Sequence, residues 1–199
     1  MKQSPPTQQS VFDDKDFADK YAKRHRKMAE NFGKEYADKL ASRGFQKGKI
    51  LDAGCGFGGT AVFLATKHPA SEIVGIDLSE PLLEKANMAA ETARLNERAR
   101  FKKGDVQQIT YGDNTFDVVL NINMVHLVKD PVKMLNELER VLVPEGILFI
   151  ADIRRSWVGL FETEFRSALT LGEARELFNR SKLRDGNFSS SFLWWKFEV

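Results

Sequence analysis

The sequence predicts an α/β fold built on a doubly wound, mainly parallel sheet, and three observations carry that prediction. Short apolar runs alternate with helical patterns from Ile50 to Asp152, which implies a parallel sheet covered on both faces. Each run ends in a polar residue: Asp52, Asp77, Asp105, Asn121 and Asp152. Residues that merely stop strands would occur equally at the amino ends, and they do not. In an open α/β sheet the carboxyl ends of the strands are where ligands bind. Third, the stretch from Ile50 to Thr60 reads as strand, tight glycine turn and helix, with Gly54, Gly56, Gly58 and Gly59 in the turn. Glycine suits sharp turns at positive φ and lets a ligand approach backbone without meeting a Cβ.

Residues 1–11 are polar and contain Pro5 and Pro6; a disordered tail is expected there. Residues 12–44 are expected to form N-terminal lid helices of a single domain spanning 12–199. Phe17, Tyr21, His25, Met28, Phe32, Tyr36 and Leu40 recur every three or four positions, one stripe of a helix. Gly33 is expected to break or bend it into two. Lys20, Lys23, Arg24, Arg26 and Lys27 lie between the stripe positions and read as a solvated basic face.

The first strand runs into Asp52, and a helix from Thr60 ends near His68, whose ring is expected to meet the terminal carbonyls. Ile73 to Ile76 form a second strand. Ser79 is an N-cap and Pro81 suits a first helical turn; Leu82, Ala86, Ala89 and Ala93 are the predicted buried face. A third strand leads to Asp105. Phe116 to Leu120 form a fourth, a helix starts at Asp130-Pro131, Pro144-Glu145-Gly146 is read as a turn, and Ile147 to Ala151 form a fifth strand.

The last quarter changes character. Trp157, Leu160, Phe161, Phe165 and Ala168 give a helical stripe preceded by Arg154 and Arg155. Thr170 to Glu173 is a capping box. A weak strand at Phe188 to Ser191 and a strong one at Phe192 to Val199 must pair antiparallel, because the turn between them is short. Leu193, Trp195, Phe197 and Val199 share one face and Phe192 and Trp194 the other, the pattern of an internal strand.

Composition narrows the function classes. The 199 residues carry a net charge of +2 and are 42% hydrophobic, so no bulk charge draws the chain to nucleic acid or an anionic membrane. Cys55 is the single cysteine, which excludes an intramolecular disulfide and a cysteine-based metal site. No apolar run approaches the ~20 residues of a membrane span, and the start lacks a signal-peptide core. A cytoplasmic protein with no membrane partner and no metal is expected.

The glycine turn fits two cofactors. It satisfies GxGxxG with Asp77 about 20 residues on for a ribose diol, as in nicotinamide binding. It also satisfies Asp-x-Gly-x-Gly-x-Gly. Asp52 would repel a pyrophosphate at the following helix N-terminus and attract an ammonium group. Asp105 is placed to accept from an exocyclic adenine amine, and no second nucleotide-binding half follows.

On these residues the chain resembles the class I S-adenosylmethionine-dependent methyltransferases, in particular the small-molecule type similar to the ubiquinone and menaquinone C-methyltransferases. The resemblance spans roughly Phe17 to Val199 through ILDAGCGFGG, GIDLSEPLLEKA, FKKGDVQQI, FDVVLNINMVHLVKDP and LNELERVLVPEGILFIADI, in the family's order. It implies a Rossmann-like doubly wound sheet of seven strands, order 3-2-1-4-5-7-6 with strand 7 antiparallel. It also implies S-adenosyl-L-methionine as cofactor and S-adenosyl-L-homocysteine as product. By the same resemblance Asp52, Gly54 and Gly56 line the methionine moiety, Asp77 holds the ribose hydroxyls and Leu78 flanks the adenine. Asp105 and Val106 take the adenine edge, Asn121 abuts the methionyl part, and Tyr21 and Met28 close over the cofactor.

Methyl transfer from a sulfonium releases a neutral thioether, so catalysis can rest on alignment and desolvation. A base is needed only where the nucleophile must lose a proton. His126, after the fourth strand, is the candidate for it. The segment lacks the Asn-Pro-Pro-Tyr signature of amino-methylating DNA enzymes, and Cys55 sits inside the cofactor loop, which argues against DNA. A small-molecule acceptor is expected. The other readings are an RNA-directed methyltransferase, an NAD(P)-dependent oxidoreductase and a non-catalytic cofactor-binding module.

Overall fold

The computed structural model describes residues 13–155 and 168–199. The chain groups into two compact units, Met1–Gly104 and Asp105–Val199. The predicted tail, and Trp157, Leu160, Phe161 and Phe165, lie outside the described residues.

The first unit opens with α1, Lys15–Ser42, whose N-cap Asp14 accepts from the Phe17 amide at 2.7 Å. Gly33 does not break it. The helix is continuous, and the missing side chain of Gly33 lets it pack closely on α2, Gly59–Lys67: a Cβ at Gly33 would stand 2.7 Å from Phe63 Cβ. Burial grows along α1. Phe32, Tyr36 and Leu40 are buried, whereas Phe17, Tyr21, His25 and Met28 are half-buried.

Strands β1 (Lys49–Ala53), β2 (Glu72–Asp77) and β3 (Ala99–Lys103) pair in parallel, which sets Asp52 beside Gly75 and Asp77 beside Lys103. Between β2 and β3 runs α3, Glu80–Thr92, capped by the Ser79 hydroxyl accepting from the Leu82 amide. Its buried face is Leu82, Leu83, Ala86 and Ala90. Ala89 is half-buried, and Ala93, the C-cap just past the helix end, is exposed. His68 caps α2 with its backbone N–H, not its ring. The carbonyls of Ala65, His68 and Ser71 instead accept from the Arg98 guanidinium, and the buried Nε2 of His68 lacks a partner among the described residues.

The second unit holds β4 (Phe116–Ile122), α4 (Pro131–Val141), β5 (Leu142–Ile153), α5 (Leu171–Asn179), β6 (Asn187–Ser190) and β7 (Trp194–Glu198). Pro144 to Gly146 belong to β5 rather than to a turn, and the pairing of β4 with β5 shifts register between Phe116 and Val118. The capping box forms as read: Thr170 Oγ1 accepts from the Glu173 amide while the Glu173 carboxylate takes the Thr170 amide.

The seven strands follow the order β3-β2-β1-β4-β5-β7-β6, with β7 antiparallel to both neighbours. This is the Rossmann-like order that the resemblance implied. Trp195 and Phe197 are buried, as an internal strand requires, but Phe192 is 57% and Leu193 37% exposed. The regular strand begins only at Trp194, so these two sit in the β6–β7 connection.

Candidate functional site

The first unit builds a bound loop at the carboxyl ends of β1 and β2. The amides of Gly54 and Cys55 both donate to the Ile76 carbonyl, at 2.8 and 3.0 Å, which folds the turn back onto β2. The Asp77 carboxylate then clamps it. Oδ2 accepts the Gly56 amide at 2.8 Å and Oδ1 the Ser79 amide at 2.9 Å. A carboxylate offers about four acceptor sites, so capacity for a ligand hydroxyl remains. Gly56 has φ of +51° and the space on its Cβ side is open, the nearest atom being Leu82 Cδ1 at 3.9 Å. The left-handed conformation and the open face are what a loop cradling a ligand requires.

Asp52 lies beneath this loop and is 2% exposed. Burial, and secondarily the charge of Asp77, push its carboxyl up to about 7. Burial raises Asp77 as well, against the hydrogen bonds that it accepts from Ser79, Gly56 and Leu78. Burial thus pushes both acids toward the neutral form, and the charge of Asp77 adds to that push on Asp52. A ligand bearing a positive charge relieves this, whereas a pyrophosphate aggravates it. Cys55, half-buried beside both acids, is pushed well above its usual range by burial, so it is no nucleophile.

Tyr21 reaches the loop from α1. Its ring meets Phe57 edge-on at 6.4 Å, stacks with Phe17 at 5.9 Å and lies tilted against His25 at 4.1 Å. Two ion pairs, Lys15 with Glu84 and Asp19 with Lys85, tie the same end of α1 to α3. Met28, half-buried, lies one turn before the buried Phe32. Leu78, half-buried, follows Asp77 directly.

In the second unit Asp105 Oδ1 accepts from both the backbone and the side-chain amide of Gln107, at 2.8 and 3.2 Å. Gln107 Oε1 in turn accepts from the Asp130 amide at 2.8 Å. Val106 is buried. Asn121 is fully enclosed, with Nδ2 at 3.7 Å from Met134 Sδ. His126 and Asp152 form a close pair, Nδ1 to Oδ1 at 2.6 Å. Asp152, read from the sequence only as a polar strand end, thus has a partner remote in sequence. The signal was available, because β4 and β5 are neighbours and both residues follow or end a strand at the same edge.

Residues 45–188 match the family model described as a methyltransferase domain. The chain belongs to that family. The methyltransferase domain is 35% identical over 104 residues to 27-O-demethylrifamycin SV methyltransferase of Amycolatopsis mediterranei, a match covering 52% of this chain and 38% of that protein. Over 101 residues it is 38% identical to norajmaline N-methyltransferase of Rauvolfia serpentina, covering 51% and 34%. It thus spans well under two thirds of the length of these curated relatives. A solved structure of an S-adenosyl-L-methionine-dependent methyltransferase candidate from Methanococcus maripaludis superposes with TM-score 0.79 at 18% identity, over 99% of this chain and 96% of that one; that likeness is one of fold.

Among the described residues of this methyltransferase domain, no cluster of His, Cys, Asp and Glu could hold a metal ion, and no helix is long and apolar enough to cross a membrane. A cavity of about 680 Å³ in the second unit is lined by Arg175, Phe178, Arg184 and Phe188 among others, and contains none of the cofactor-binding or catalytic candidates named from the sequence. The partners missed by sequence reasoning are Phe57, Gln107 and Asp152. The first two lie one and two residues from named positions but carry no motif of their own.

Proposed function

We propose that this methyltransferase domain moves the methyl group of S-adenosyl-L-methionine to a small-molecule acceptor in the cytoplasm, releasing S-adenosyl-L-homocysteine. The observation that carries the reading is Asp52, a buried acid raised to about 7 under a glycine loop that Asp77 holds. Such a site is short of positive charge, and the cofactor's methionine end supplies an ammonium and a sulfonium. In this reading Asp52, Gly54 and Gly56 take the methionine moiety, Asp77 the ribose diol and Leu78 one side of the adenine. Asp105 and Val106 take the adenine edge and Asn121 supports the methionyl part. Tyr21 and Met28 close over the cofactor from α1, within a single domain spanning residues 12–199.

Chemistry of this kind needs little from the protein beyond orientation and exclusion of water; well-aligned intramolecular reactions gain about 7–11 kcal/mol that way. The acceptors in the relatives' names, a demethylrifamycin and norajmaline, differ from each other, so the acceptor is not carried over from either. Isothermal calorimetry with S-adenosyl-L-methionine tests the proposal. Binding by the wild type that is lost in Asp77→Ala supports it; no wild-type binding, or competition by NADH, sinks it.

A further inference from the structure

The β6–β7 connection returns the chain to the carboxyl end of β5. Antiparallel pairing sets Ile153 opposite Trp194, so Arg154, Phe192 and Leu193 lie just past that strand end, at the edge where ligands bind in such a sheet. The Arg154 amide donates to the Leu193 carbonyl at 2.7 Å. Its Nη1 donates to the Ser191 carbonyl at 3.0 Å, which places the guanidinium beside the peptide leading into Phe192. Among the described residues no carboxylate pairs with Arg154, whereas the neighbouring Arg155 pairs with Glu173 and Arg184 with Glu139. Asp152, two residues back, is buried, and its oxygens already accept from His126 and from the Ile153 amide. Three large apolar side chains are exposed among the described residues, and two of them, Phe192 and Leu193, follow Ser191 directly. Holding the connection in place needs only the backbone bond. An uncompensated cation beside exposed apolar groups has the chemistry of a site for an amphipathic anion.

We infer that the methyl acceptor is an amphipathic carboxylic acid, its carboxylate held by Arg154 and its apolar body by Phe192 and Leu193. The inference rests on the methyltransferase reading above. A single guanidinium matches a single negative charge, and its planar fork fits a carboxylate; a dianionic phosphate would leave a charge unmatched. Asn121, which supports the methionyl part in that reading, pairs with Ile150 of β5. Arg154 lies four residues beyond Ile150, about 13 Å at strand spacing. The carboxylate is therefore an anchor remote from the methylated atom, and the product keeps its negative charge. Arg154 and Phe192 are thus specificity residues that act on acceptor binding.

Two probes of one shape, 4-phenylbutyrate and the neutral 4-phenylbutanol, test the anchor by ligand-observed NMR on protein saturated with S-adenosyl-L-homocysteine. The wild type should bind the acid about 10–100-fold more tightly than the alcohol. Arg154→Met keeps an apolar stem and should remove that preference with alcohol affinity unchanged, Arg154→Lys should retain part of it, and Phe192→Ala should weaken both probes alike. Equal wild-type affinity for the two probes, a preference that survives in Arg154→Met, or equal losses in the Lys and Met variants each overturn the inference. In a metabolite extract, S-adenosyl-L-methionine carrying a ¹⁴C methyl group should label products that an anion exchanger retains. Label confined to neutral products, methyl esters included, overturns it as well. Failure of the wild type to bind S-adenosyl-L-homocysteine by calorimetry would instead sink the methyltransferase reading itself.

Discussion

The Gly56 amide donates a 2.8 Å hydrogen bond to Asp77 Oδ2, 21 residues along the chain. One carboxylate thus fixes the loop and, in the proposed function, reads the ribose. Asp77→Ala removes both roles. Hydrogen bonds to charged groups contribute about 1.5–3 kcal/mol each, so cofactor affinity should fall at least about 100-fold by calorimetry. Asp77→Asn should fall between, because its single oxygen cannot accept from Gly56 and Ser79 together.

Asp52 predicts a pH dependence whose sign differs for stability and for binding. Its carboxyl is raised from 3.8 to about 7. Between those values the folded chain holds a proton that the unfolded chain has lost, so stability falls as pH rises through that window. At about 1.4 kcal/mol per pKa unit the loss is on the order of 4 kcal/mol. Asp52→Asn should therefore raise the Tm at pH 8 and leave it nearly unchanged near pH 4. Cofactor binding should run the other way: wild-type affinity should rise as pH passes 7 and Asp52 ionises, with no such rise in Asp52→Asn. Equal Tm shifts at both pH values would refute the burial argument.

The parts legible in the sequence were those with a local cause. The glycine turn, the Ser79 and Thr170 caps and the polar strand ends each follow from a residue's own conformational or hydrogen-bonding preference, and each is present. What escaped depended on a neighbour remote in sequence. Gly33 looks like a helix breaker until Phe63 is known to lie against it. The His68 ring looks like a cap until Arg98 takes the carbonyls. Asp152 looks solitary until β5 is laid beside β4. Periodicity alone also overstated the strong C-terminal strand, since nothing in Phe192 and Leu193 announces that regular pairing starts after them.

Arg140 should prove a structural keystone of the second unit. It donates to the Ile109 and Tyr111 carbonyls, to Asp113 and twice to Glu137. Glu137 also accepts the Ile109 amide at 2.8 Å, so segment 109–113 is locked to α4. Arg140→Lys cannot reproduce the planar fork and should cost about 2–4 kcal/mol, read as a lower urea midpoint with unchanged slope. The hydrogen bond from Arg140 holds the Glu137 carboxyl below its ordinary value of 4.5. The stabilisation is thus present above that pH and lost as pH falls through the depressed value, so the gap between wild type and variant should narrow in acid.

Gly33→Ala sets two effects of opposite sign against each other. Alanine in a helix interior is favoured over glycine by about 1 kcal/mol, and α1 is helical on both sides of this position. The added Cβ would stand 2.7 Å from Phe63 Cβ and 2.8 Å from its Cγ. Phe63 Cβ is fixed by the backbone and cannot swing aside by a rotamer change, so α1 and α2 must move apart. Overpacking of this kind costs about 1–3 kcal/mol, which outweighs the propensity gain. The variant should lose thermal stability. The loss should shrink in a Phe63→Ala background, where Cγ is gone and only the Cβ contact remains. A Tm above that of the wild type would mean that the helices tolerate separation, and that Gly33 is not what sets their spacing.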